Sequence, residues 1–388
     1  MGAYASLGRC PNEECSRVVW TASLAALLFA VVAPNPWLAG LIAMLGVSLW
    51  RTPVPREELE RVLYPTFLWV GLYVALSPHI TLDLVPLILA VMLAIGCFEG
   101  LWCIYSLCQK DETYSHLWQP FGYFRLRLAE YGFYHYLSCG LGNPNHALAV
   151  SGITTAAGVG LVMLGHWIAA PLTLLPACVL GSHLWRRTPD SKPSGALIYV
   201  YVLAVGAVAW RGGWMAWTSG VVVAASALTF IWQRHPDWYS LRTDYWLFAW
   251  QGHRNAPWHA KVFGFGLSAW LRRMIEGCPF ASLATNPHSE WVAMLVESGW
   301  VGVVALAGYV LTSAWMLVHD GPLGFAVLLV GAMVLACSFV SSPWHRYMEI
   351  GVMDPKTKQI NVVGQGCPAL NVLSFATVLC IEAVTKAV

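Results

Sequence analysis

The sequence predicts an all-α polytopic membrane protein of roughly 10–12 transmembrane helices with one large extracytoplasmic loop. The first observation behind this is composition: 57% hydrophobic and 11% charged residues, against roughly 25% charged in an average soluble domain. The second is a series of apolar runs long enough, or nearly so, to cross about 30 Å of hydrocarbon at about 1.5 Å per residue. The third is the 21 Trp and 15 Tyr, rings that keep an apolar body in lipid and a polar tip wet at headgroup depth. A formal charge of +2 excludes a polyanion binder of the histone type, so no nucleic-acid partner is expected. The 11 Cys are scattered. Cys97, Cys103, Cys178, Cys337 and Cys380 lie inside apolar runs and no pair of CxxC motifs occurs, so they read as small buried hydrophobes rather than as zinc ligands or a disulfide framework.

In chain order, VVWTASLAALLFAVVA is an uncleaved first span and PWLAGLIAMLGVSLW, opened by Pro36, a second. The loop with Arg51, Arg56 and Arg61 is cytoplasmic by the positive-inside rule, as is the later one with Arg186, Arg187 and Lys192. Spans follow near Tyr64 to Leu76 and Leu84 to Leu107. The aromatic and basic stretch around Phe121 to Ser138 reads as an interfacial segment. In GLGNPNHALAV, Asn143 and Asn145 flank Pro144 in a turn that opens the next span, with Asn145 placed to cap the helix. Two spans then reach His183, and ALIYVYVLAVGAVAW runs up to Arg211. An arginine there sits at an interface, snorkelling from a helix end, or is paired.

Residues 232–290 form the large loop within a single integral-membrane domain, 1–388. The loop is net basic, with Arg234, Arg242, Arg254, Lys261, Arg272 and Arg273 against Asp237, Asp244, Glu276 and Glu290, and holds His235, His253, His259 and His288. If the loop lies outside the cytoplasm, it keeps positive charge against the insertion bias, which points to an anionic ligand. The glycines of FGFGLSAW predict a tight turn or a close backbone approach. Two clear spans come after NPHSEW, and LNVLSFATVLCIEAV is a possible last one.

The motifs GLGNPNHALAV, WRGGWMAW, the Arg242 segment, APWHAKVFGFG and NPHSEWVAMLVESGWVG stand in the order seen in the O-antigen ligase and polymerase superfamily. Over roughly residues 140–340 the chain resembles that family, which also includes bacterial protein O-oligosaccharyltransferases. The resemblance implies a metal-independent, cofactor-free glycosyltransferase of the bacterial inner membrane with its site facing the periplasm. Its donor would be an undecaprenyl-diphosphate-linked glycan, and its acceptor a hydroxyl of a glycan, of lipid A core or of a protein. It implies further that Arg211 and Arg242 hold the diphosphate, that His288 is catalytic, and that Asn143, Asn145, Glu290 and Glu297 support the site. The chemistry agrees. A guanidinium grips diphosphate oxygens bidentately, and an imidazole that titrates near neutrality can take a hydroxyl proton. A satisfied interfacial histidine is the structural alternative for His288.

The chain departs from the family pattern in having Ser289 and Glu290 where Asn is common. It also leaves only about thirty residues between Arg211 and Arg242, room for one crossing rather than two. Either Arg211 is not the matching residue or the segment after it re-enters without crossing. The competing function is a membrane transporter or flippase of a lipid-linked or anionic substrate, which would place charges in broken midplane helices. A hydrolase built on Ser268, or on a metal held by His288 and Glu290, lacks the partners such sites need.

Overall fold

The computed structural model describes residues 24–31, 35–50, 69–109, 144–185, 196–207, 210, 236–266, 289–340, 351–353, 360–362 and 368–387. Among the described residues the helices with defined bounds are α1 (Pro36–Trp50), α2 (Val85–Gln109), α3 (Pro144–Met163), α4 (Ala169–Trp185), α5 (Ala196–Ala207), α6 (Pro236–Arg254), α7 (Trp258–Phe263), α8 (Glu290–His319), α9 (Gly321–Val340) and α10 (Pro368–Thr385), and residues 24–31 and 69–76 are helical as well. A small hairpin of β1 (Gly351–Met353) and β2 (Ile360–Val362), with Val352 opposite Asn361, adds the only strands among the described residues to an otherwise helical fold. Four segments, Leu82–Ile104, Asn145–Met163, Glu290–His319 and Gly321–Ser338, are long and apolar enough to cross a membrane. Each coincides with a run expected to span. α1, α4, α5 and the end of the chain from Ala369 are shorter apolar helices. The interfacial stretch near Phe121, the arginine-bearing loops and the apolar run after Arg211 lie outside the described residues.

The chain divides into two compact units, one of Met1–His79, Ser240–Thr312 and His345–Gly366, the other of Ile80–Tyr239, Ser313–Trp344 and Cys367–Val388. The second is a helical bundle. α2, α3 and α4 pack on one another, α9 packs on α3, and α10 packs on α9, α2 and α3. Leu89, Met92, Leu148, Ile153, Leu329 and Met333 are fully buried within it. Leu87, Val91 and Leu101, on another flank of α2, stay exposed. Such a flank is at home against lipid tails, which are as apolar as leucine.

Lipid supplies no hydrophobic drive between helices, so close backbone approach at small residues has to supply it. Gly96 and Gly100 of α2, spaced as GxxxG, meet that need. A Cβ at Gly96 would strike Thr154 of α3, and one at Gly100 the Leu175 carbonyl of α4. Gly158 faces Thr173 in the same way, Gly152 faces Tyr199, and Gly160 faces Ala326 at 3.1 Å. Pro176 interrupts α4 and has no N–H, which leaves the Leu172 carbonyl without its helical donor. The Cys97 thiol of α2 donates to that carbonyl at 3.4 Å. The Pro176 carbonyl accepts from the Ser151 hydroxyl of α3. The proline's cost is thus met by neighbouring helices, as a nonaqueous surrounding requires.

In the first unit, Asn35 caps α1, its Oδ1 accepting from the N–H groups of Trp37 at 3.0 Å and Leu38 at 3.2 Å, with Pro36 at the first helical position. α1 runs antiparallel to α8. Trp37 lies over Gly308, Gly40 is near Ala305, and the Ser48 hydroxyl meets Ser298 Oγ at 2.9 Å.

Candidate functional site

The described part of the large loop folds as α6, a three-residue link of Asn255, Ala256 and Pro257, and α7, whose end is set by Gly264. On α6, Tyr245, Ala249 and His253 recur four residues apart, and all three are buried. That spacing puts them on one face of a helix. Tyr245 and Ala249 form a core with Ala256, Ala260, Phe265 and Val296 of α8, flanked by Trp246, Phe248 and Val292. The polar loop of the sequence is therefore clamped onto the start of α8 by apolar packing.

Backbone finishes the clamp. α8 breaks at Gly299, where φ is 67° and ψ is −163°. Gly264 has nearly the same conformation, φ 73° and ψ −175°. Both lie in a region open essentially to glycine alone. The two glycines occupy a crossing of main chains: a Cβ on Gly264 would enter the Glu297 carbonyl, and one on Gly299 the Val262 carbonyl. In an unbroken helix the carbonyls of Val296 and Glu297 would accept from residues 300 and 301. Here Val296 accepts from the Phe265 N–H at 2.8 Å, and Glu297 from the Gly266 N–H at 3.1 Å and the Ser48 hydroxyl at 3.2 Å. The close approach expected of the FGFG glycines is present, and its partner is the break in α8.

Of the residues singled out from sequence, His288, Arg211 and Asn143 lie outside the described residues, as do Ser268 and Cys278. Arg242 lies on α6, described there in its backbone, and position 242 falls on the same helical stripe as Tyr245, Ala249 and His253. Ser289 and Glu290 are buried at the start of α8. The Ser289 carbonyl accepts from the Ala293 N–H at 3.0 Å, and Glu290 puts an acidic group in the first turn, where the helix dipole favours it. Glu297 is buried two residues before the break. Asn145 does not cap its helix. α3 begins one residue earlier, at Pro144, whose fixed φ suits the first helical position and carries Asn145 into the first turn.

His253 was not separated by sequence from the other loop histidines. Its side chain is 2% exposed, and neither ring nitrogen has a hydrogen-bond partner among the described residues. A buried polar group so left costs about 1–3 kcal/mol. Burial, and secondly the nearby positive charge of Lys261, hold its pKa below the usual imidazole value. Glu99 of α2 and Glu382 of α10 are also buried, inside apolar helices. The motifs do not single them out, although a lone acid within an apolar run is a signal in itself. Among the described residues no group of three or more His, Cys, Asp or Glu is arranged to hold a metal ion.

No protein-family model matches this chain, and no curated protein matches it.

Proposed function

We propose that this chain is a metal-independent glycan transferase of the bacterial inner membrane, moving an oligo- or polysaccharide from undecaprenyl diphosphate to an acceptor hydroxyl on the periplasmic side. The observation that carries the proposal is packing. The helix bearing Arg242 and the helix that directly follows His288 share one apolar core through Tyr245, Ala249 and Val296, so the two motifs belong to one folded unit. In this mechanism His288 takes the proton of the acceptor hydroxyl as its oxygen attacks the anomeric carbon. The bond from that carbon to the phosphate oxygen breaks, and Arg242 stabilises the diphosphate as its charge grows. A single displacement of this kind inverts the anomeric configuration.

The break at Gly299 favours a second reading, a transporter or flippase, because transporters build their sites at discontinuous helices. Against it, the Val296 and Glu297 carbonyls beside the break already accept from Phe265, Gly266 and Ser48. They are used for structure rather than left open for an ion.

The chemistry requires the loop to face the periplasm, whereas counting spans from a cytoplasmic start tends to leave it inside. In cells with a permeable outer membrane, a membrane-impermeant thiol reagent should label the wild type more than Cys278→Ser. If that difference emerges only after the inner membrane is opened, the transferase assignment falls. Given the correct side, the glycan profile of a strain lacking the protein separates the activities. A capped but unextended core marks a polymerase, and a naked core with accumulating carrier-linked polymer marks a ligase.

A further inference from the structure

At the junction of α6 with the break in α8, three rings meet. His253 lies near-parallel to Trp250, with centroids 6.3 Å apart and planes at 29°, and edge-on to Trp300 at 5.9 Å and 80°. The two indoles meet edge to face at 6.2 Å. Trp250 and Trp300 are 46% and 44% exposed, while His253 is buried with both ring nitrogens unmet among the described residues. A native protein seldom leaves such a group unsatisfied without a use for it. We propose that Trp250, His253 and Trp300 form a subsite for a pyranose ring of the transferred glycan, a proposal that rests on the transferase assignment above.

The chemistry of the three side chains selects the ligand. A neutral imidazole carries one donor and one acceptor, and a sugar hydroxyl is the group that can meet either. An indole face is negative and attracts the weakly positive C–H edge that a pyranose turns toward it. A cation, the other habitual partner of an indole face, is opposed by Lys261, which lies close enough to help depress the His253 pKa. Position supports the same ligand. Trp250 is eight residues beyond Arg242 on one continuous helix, about 12 Å along the axis, so a glycan whose diphosphate is held at Arg242 would reach the indoles with a sugar farther along its chain. Half-exposed indoles also suit headgroup depth. Trp258, 72% exposed in the same unit and likewise edge-on to a histidine, His259 at 5.9 Å, provides the control for that alternative.

The test uses the full chain in lipid nanodiscs and saturation-transfer NMR with methyl glycosides of glucose, galactose and their N-acetylamino forms at millimolar concentration. At least one glycoside should show saturable transfer, strongest on its ring C–H protons. Trp250→Ala and Trp300→Ala should each reduce it at least fivefold, His253→Phe should do the same, and His253→Gln should retain most of it. Trp258→Ala should match the wild type. Absence of saturable transfer in the wild type, equal transfer in Trp250→Ala and Trp300→Ala, or an equal loss in Trp258→Ala would each overturn the proposal, the last by showing that the indoles only face lipid. If His253→Phe fails to fold, the two half-exposed tryptophans decide the matter. Glycoside binding by a chain that transfers no glycan would keep the subsite and remove the transferase. Normal transfer by a Trp250→Ala, Trp300→Ala double variant that binds no glycoside would do the reverse.

Discussion

Glycine does opposite work in the two units. In the bundle, Gly96 and Gly100 lie within α2, a continuous helix, and matter because they lack a side chain, letting α3 and α4 come close. In the unit that carries the loop, Gly264 and Gly299 matter because of their backbone, held at φ 73° and 67° where the main chains cross. One use builds a scaffold from regular helices. The other interrupts a helix to tie a polar segment to it, and strained backbone of that kind collects at functional sites. The comparison therefore predicts that damage to the bundle reduces stability, and that damage near the crossing reduces activity in whatever protein remains folded.

The largest effect should come from His288→Ala. Removing a general base costs about 10²- to 10⁴-fold in rate, while insertion and donor binding should persist because the imidazole acts on the acceptor. Near-normal product from a well-expressed variant, in a transfer assay with carrier-linked glycan, would exclude the role of base.

Next come two alanines that separate the units directly. Gly100→Ala overpacks a helix contact and should cost about 1–3 kcal/mol of stability, with transfer per folded molecule unchanged. Gly299→Ala carries a backbone penalty of about 1–3 kcal/mol together with a clash against the Val262 carbonyl. Its transfer per folded molecule should fall, because relief requires the α7 loop to leave α8. Thermal unfolding in mild detergent, paired with rate per folded molecule, reads both. Parallel behaviour of the two variants would erase the distinction.

Arg242→Lys should lower transfer by about tenfold although charge is kept, since an ammonium cannot reproduce a bidentate grip on diphosphate oxygens. Stability should hardly change. A wild-type rate would make Arg242 a solvated charge on α6.

The long spans were legible in the sequence because a span announces itself by an unbroken apolar run, and α2, α3 and α9 of the bundle and α8 of the other unit lie where those runs lie. The GxxxG of Gly96 and Gly100, which carries the tight contact of α2, was not singled out from the sequence. The break at Gly299 was not legible. The run WVAMLVESGWVGVV is apolar on both sides, and its glycines, Gly299 and Gly302, are each of a kind tolerated in a straight helix. What breaks it is Gly264, 35 residues earlier, and no local pattern records a partner at that separation. His253 was hidden for a similar reason. One histidine among several in a basic loop carries no mark of burial until α6 and α8 bring Trp250 and Trp300 to it.

The smallest effect tests whether space or backbone conformation governs a glycine where neither a helix contact nor a crossing is involved. Gly181, in α4, and Gly165, in the turn after α3, both have nothing within 4 Å of a built Cβ, but Gly165 has φ 90°. If space alone mattered, alanine would be harmless at both. Gly181→Ala should gain at most about 0.8–1.0 kcal/mol, the helix preference measured in water, and less where lipid already keeps the backbone hydrogen-bonded. Gly165→Ala should lose about 1–2 kcal/mol, the cost of a left-handed conformation for a residue with a Cβ. The midpoints should therefore move in opposite directions, each by no more than about 2–4 °C. A rise in both would show that the turn after α3 relaxes to accept a side chain, and that the φ argument applies only where, as at Gly299, the neighbouring main chain prevents relaxation.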